Sequence, residues 1–367
     1  MHANRYDVVV VGAGIAGLTA ASLAAEQGAS VALVSIGAGA FVLGAGGVEE
    51  REVKALKNDP GFAPAMDFFL DLAASAGTAL AGNLEHTVLL PTLLGGFQPM
   101  QLAPALVANS ALHPFVKTRV VGFRGLTGFD AEFLAQRFNQ EAEKRGLAAS
   151  CDATTLQLPV PLGMPLTTLR VAQAFDRDQG FRTALAEALR EAKGDCERVL
   201  LPAVLGIEAN DLKRAAFVAQ VGCTVGELPT LPPSIPGLRL AQRLLAHLRM
   251  RGVTMLEGYP VEQLDRVNRT CTGLRIASPG RAFRIAGDSV LLATSTGMRR
   301  LLGDAIQAVD EQQRPVDTAG KPLANNLFAA CARPPHVSEL RGLAGRILAG
   351  HRAAVCAGSE RGAYAAR

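Results

Sequence analysis

Gly12, Gly14 and Gly17 stand in the spacing G-x-G-x-x-G, and the chemistry open to that arrangement is the holding of a phosphate by backbone. Gly12 permits a tight turn, Gly14 lets a phosphate approach the main chain, and Gly17 lets a helix pack closely on a strand. Ala13, Ile15 and Ala16 complete the turn, whose N–H groups would face the anion. An Asp or Glu normally follows about 20 residues into such a motif and hydrogen-bonds an adenosine ribose; Ser35 stands there. A serine hydroxyl cannot clamp a diol as a carboxylate does. Gly44, Gly46 and Gly47 crowd a second stretch, where backbone without side chains would lie against something flat, such as a heterocyclic ring.

No other constellation reads as chemistry. His86, His113, His247, His336 and His351 are isolated, with His113 beside Pro114 the best placed of them. There is no Ser/His/Asp order and no metal-ligand spacing, so no catalytic residue and no metal site is named. The six cysteines are dispersed, without a C-x-x-C pair, and read as buried thiols.

The elements that must position the turn are legible nearby. Val8 to Val11 form a β-branched run, the pattern of a parallel strand covered on both faces. Leu18 to Gln27 read as a helix ended by Gly28, and Val31 to Val34 as the next strand. An amphipathic helix follows over Asp67 to Ala76, then short strands and turns over Leu89 to Ala111. From Phe115 the chain alternates again: strand 116–121, a helix capped by Asp130, strand 154–160, helix 180–192, strand 198–201, helix 210–221 and strand 224–228. Glu227 to Arg239 is a rigid proline loop in which Arg239 is a candidate anion contact; Leu228 to Arg239 is expected to lie exposed in the isolated chain and to be covered by a partner subunit. Strands 253–256, 261–267, 274–276, 289–292 and 327–330 and a terminal helix from Val337 return to the first domain. The expectation is an α/β protein: a Rossmann-like dinucleotide- or flavin-binding domain over 1–114 and 252–367, with a second α/β domain inserted over 115–251.

Composition narrows the function classes. In 367 residues, 49% are hydrophobic and 19% charged, which fits packed cores and excludes a disordered chain. The net charge of +4 is spread along the chain and there is no Trp, so a nucleic-acid surface is not expected. Charged residues or Pro interrupt every apolar run before it could span a bilayer. With the first strand beginning almost at once, the chain reads as cytosolic.

DVVVVGAGIAGL, VVGFRGLTGFDAEFLA, LLPAVLGIE, LPTLPPSIPGLRLAQRL and NLFAA, in this order over nearly the whole chain, resemble one family. It is the B subunit of the anaerobic, quinone-linked glycerol-3-phosphate dehydrogenase, within the fumarate-reductase-like flavoproteins. The resemblance implies a flavin carrier, with FMN or FAD, that passes electrons from substrate oxidation towards the quinone pool. It also implies two partners, an FAD-bearing catalytic subunit and an iron–sulfur subunit that reaches the membrane, so that this chain would be cytoplasmic and peripheral to the inner membrane. Ser35 fits FMN, which has no adenosine ribose, and equally a weakened FAD site. Two stretches depart from the family: Ala330, Cys331 and Ala332 replace a Gly-Asp type pair, and Arg333, Pro334, Pro335 and His336 replace a glycine-rich helix start. They motivate an alternative, a cofactor-poor scaffold that docks the catalytic flavoprotein to its iron–sulfur partner.

Overall fold

In a computed structural model, residues 4–37, 39–159, 165–209, 211–278, 280, 282–303, 308–330 and 342–365 are described. The chain forms two compact units, one of residues 1–40, 51–72 and 244–367, the other of 41–50 and 73–243.

The first unit is built on a sheet whose strands run Thr254–Glu257, Val31–Ser35, Asn4–Val11 and Phe283–Leu292, all parallel. Leu327–Ala329 adds a further parallel strand against the carboxyl half of Phe283–Leu292. The amino half of that long strand instead pairs antiparallel with Thr270–Ile276, which pairs with Val261–Val267. Val8, Val9 and Val10 are buried, as their β-branched run requires in a sheet covered on both faces. Helix Ile15–Glu26 carries the glycine turn and is crossed by the terminal helix Leu343–Ala365. A Cβ at Gly350 would land on the Ala16 carbonyl oxygen, so glycine there sets how closely the two helices approach.

The second unit holds a parallel sheet in the order Thr224–Leu228, Arg198–Pro202, Lys117–Phe123, Ser150–Leu156. Helices Ala131–Lys144, Thr168–Arg177, Gln179–Ala192 and Asp211–Val221 belong to it, and Asp130 caps the first of these by accepting from the Phe133 N–H at 3.0 Å. A small antiparallel sheet of Val48–Glu49, Leu80–Gly82, Val88–Pro91 and Phe97–Pro104 completes the unit.

The compact units divide the chain differently from the expected limits at 114/115 and 251/252. Residues 73–114 group with the inserted part, and hydrogen bonds supply the reason. The Asn109 amide donates to the Val225 carbonyl at 2.9 Å. The buried Arg198 guanidinium donates to the carbonyls of Ala111 at 2.6 Å and Asn109 at 3.2 Å, donates to the Thr118 hydroxyl, and lies over the Phe138 ring. Burial pushes this arginine down to about 10. A cation held by carbonyls and a ring ties 109–111 to the parallel sheet.

Candidate functional site

Five parallel strands of the first unit end level with one another. Val11 is in register with Val34 on one side and Leu292 on the other, Leu292 with Ala329, and Ser35 with Glu257. The segments leaving these ends make one edge, the place where parallel α/β sheets bind their ligands.

Each glycine of the turn has its own geometry. Gly12 has φ +113°, a conformation L side chains rarely adopt, and a Cβ on it would approach the Ala293 oxygen to 2.5 Å. Its N–H donates to the Val34 carbonyl at 2.7 Å, while the Ala293 N–H donates to Val11 at 2.8 Å, so the turn is pinned between two strands. A Cβ on Gly17 would coincide with the Gly12 carbonyl oxygen, which makes glycine obligatory where helix meets turn. Gly14 differs: it has ordinary φ of −78°, and a Cβ there would meet nothing within 4 Å. Packing among the described residues therefore does not require glycine at Gly14.

Helix Ile15–Glu26 starts at Gly14 with no side-chain cap and no acidic residue in its first turn. The N–H groups that begin it, at Ile15, Ala16 and Gly17, and the partial positive charge of the helix are therefore not matched by an acidic side chain of the turn. Ala13 and Ile15 are buried beneath the turn. This donor set fits the phosphates of a flavin nucleotide.

Ser35 is buried at the end of its strand, 6% exposed, and its carbonyl accepts from the Tyr259 N–H at 3.1 Å. Beside it Glu257 is exposed and paired with Arg249. The sequence reading ended that strand one residue short and gave Glu257 no role; only the sheet order brings it to Ser35.

Gly44, Gly46 and Gly47 belong to the second unit, and packing within it accounts for Gly46 and Gly47, whereas a Cβ on Gly44 would meet nothing within 4 Å. A Cβ on Gly46 would lie 2.8 Å from the Leu240 side chain, and one on Gly47 would lie 2.5 Å from Met100 and 2.7 Å from the Leu102 carbonyl. The Gly44 carbonyl, with that of Phe41, lies where Gly237 would carry a Cβ.

The proline loop is corrected in two respects. Leu231 and Pro232 are exposed, but Leu228, Ser234, Ile235 and Gly237 are buried, because helix Ile235–Met250 begins against residues 41–44 and the Ser234 N–H donates to the Val42 carbonyl at 2.8 Å. Arg239 is not free to take an anion. Its guanidinium grips Glu227 bidentately at 2.8 and 3.0 Å and donates to the Gly206 carbonyl, all in the core. Burial would push the Glu227 carboxyl up; the charge and hydrogen bonds of Arg239, the Leu205 N–H and Arg214 outweigh it and hold the carboxyl below its ordinary value.

Among the described residues the histidines form no constellation. His113 is exposed in the second unit and pushed down by partial burial and by Arg198; His86 contacts Asn83 in a loop; His351 packs on Phe68 at 5.8 Å. His336 and Cys331, with the departures at 331–336, lie outside the described residues. Cys151, Cys196, Cys223 and Cys271 are free thiols, the first pushed up to about 12 by burial. Among the described residues no group of His, Cys, Asp and Glu could hold a metal ion, and no helix is long and apolar enough to cross a membrane.

The comparison that decides the family is with the FAD binding domain, whose model matches residues 7–50 and 59–257, more than half of the chain. The chain belongs to that FAD-binding family. Its curated relatives include the B subunit of the anaerobic glycerol-3-phosphate dehydrogenase of Pasteurella multocida, 27% identical over 76% of this chain and 73% of the relative. The corresponding protein of Yersinia enterocolitica is 26% identical over 79% of this chain and 75% of its own length. A probable B subunit from Halobacterium salinarum is 28% identical over 78% and 73%. The resemblance read from the motifs is therefore to proteins that carry this name. An α/β flavoprotein with a flavin cofactor, of the oxidoreductase class, is what the fold and family give.

Proposed function

We propose that this chain is the flavin-carrying subunit of a glycerol-3-phosphate dehydrogenase of several subunits, passing electrons from substrate oxidation towards quinone. The observation that carries the reading is Gly14, whose missing side chain serves no packing need of the protein and leaves the start of an uncapped helix open to phosphate. The relatives, named as B subunits of such an enzyme, support the substrate and the membership of a complex. A bound flavin supplies the redox chemistry. The chain's residues bind and orient it: Gly12 bends the main chain, Gly14 admits the phosphate, and the N–H groups of Ile15, Ala16 and Gly17 face its charge. An FAD-bearing catalytic subunit and an iron–sulfur subunit at the membrane are the proposed partners, and attachment to the inner membrane would come through them.

The second reading, a scaffold without cofactor, is favoured by one contact. The buried Glu52 carboxylate accepts from the Ala344 N–H at 2.8 Å, so the start of the terminal helix is occupied by the protein's own anion. Absorbance of the purified protein in the flavin bands, followed by acid release and chromatography, separates the two. Released FAD or FMN at near one per chain is expected; a colourless protein that takes up neither flavin overturns the proposal in favour of the scaffold.

A further inference from the structure

Ser35 leaves the adenosine half of the site without the carboxylate that such a motif normally carries, yet the sheet supplies one next door. Strand Thr254–Glu257 lies parallel to Val31–Ser35 with Glu257 in register with Ser35, so both residues end their strands at the same level. Side chains at paired positions project to the same face of a sheet. The Glu257 carboxylate is thus displaced from the customary position by one strand spacing, about 4.8 Å, which a glutamate side chain can span.

Its surroundings leave it able to receive a ligand. The Glu257 side chain is 43% exposed, whereas Ser35 is nearly sealed. Arg249 donates to its Oε1, which holds the carboxylate at the strand end, and Oε2 makes no hydrogen bond among the described residues. A ribose diol presents two hydroxyl donors, and an ionised carboxylate has acceptor sites to spare beyond the one that Arg249 uses. The Tyr259 N–H, bonded to the Ser35 carbonyl at 3.1 Å, folds the following chain back over the same end and fixes the two strands there. We propose that Glu257 supplies the adenosine ribose with the carboxylate that Ser35 lacks, so that the flavin bound by this chain is FAD in preference to FMN. The inference rests on the flavin reading above and adds the residue that selects between the two nucleotides.

The test is titration calorimetry of the full-length protein, stripped of flavin, with FAD and with FMN separately. Wild type, Glu257→Gln and the double variant Glu257→Gln/Ser35→Glu are compared. The double variant returns one carboxylate to the customary position without setting two like charges side by side. Glu257→Gln is expected to weaken FAD about tenfold, the difference between a charged and a neutral hydrogen bond, and to leave FMN unchanged. The double variant recovers FAD binding. FAD affinity that is unchanged in Glu257→Gln, or equal losses for FAD and FMN, overturns the assignment of Glu257, as does a wild type that takes FMN and refuses FAD. A wild type that binds neither flavin overturns the flavin reading itself.

Discussion

Gly14 and Gly17 are three residues apart and have opposite reasons for being glycine, so their substitutions separate binding from folding. A Cβ at Gly17 falls on the Gly12 carbonyl oxygen, and backbone cannot yield as the tip of a flexible side chain can. Gly17→Ala is expected to destabilise the protein by about 3 kcal/mol, the upper end of ordinary overpacking costs. Gly14→Val meets open space, so its unfolding free energy should change by less than about 1 kcal/mol, while flavin retention is abolished. Denaturant melts and flavin content of the two variants check both statements; a folded Gly14→Val protein with full flavin would remove the phosphate from this turn. The sequence foretold the parts played by Gly12 and Gly17 because a strand, a turn and a helix adjacent in the chain dictate them. It misdirected at Arg239, since the charge that captures it, Glu227, sits on a strand whose packing no local pattern reveals.

That pair shows what an element-to-element contact adds. Glu227 is the penultimate residue of strand Thr224–Leu228 and Arg239 lies in helix Ile235–Met250, so a bidentate ion pair bridges strand and helix across the proline loop in the core of the second unit. Removing one partner leaves a buried charge, and Glu227→Gln is expected to cost about 3–5 kcal/mol. The pH dependence follows from the direction of the shift. The folded carboxyl titrates below its ordinary 4.5, so its stabilisation is fully present above that pH and is lost as pH falls through the depressed folded value. Urea midpoints for wild type and Glu227→Gln should therefore stay apart above pH 4.5 and converge as pH falls below it. A gap that stays constant as pH falls below 4.5 would show that the pair contributes no proton linkage. At the same scale, Gly46 and Gly47 look like ligand-facing glycines in the sequence and prove to be places where Leu240, Met100 and Leu102 come close. A run of glycines announces close approach without saying to what.

At the scale of the whole molecule, the α/β class and the alternation of strands and helices follow from hydrophobic runs and turn residues, whereas sheet order does not. Neighbours such as Ser35 and Glu257 are over 200 residues apart in the chain, and the grouping of residues 73–114 with the second unit depends on hydrogen bonds from Asn109 and Arg198. Ligand linkage tests the functional reading on the entire chain. A flavin that binds the folded chain and not the unfolded one stabilises it by about 2.7 kcal/mol at 100 times its dissociation constant. FAD added to stripped protein should therefore raise the thermal midpoint in a concentration-dependent way. Amide exchange should slow at residues 12–17 and at the Ser35 and Glu257 strand ends, and remain unchanged in the core strand Arg198–Pro202 of the second unit. The scaffold reading makes the contrary forecast, no shift at any flavin concentration. Gly14→Val distinguishes a specific site from loose association: its own midpoint stays near that of the stripped wild type, and FAD no longer moves it. A midpoint that rose equally in both proteins would place flavin somewhere other than the glycine turn.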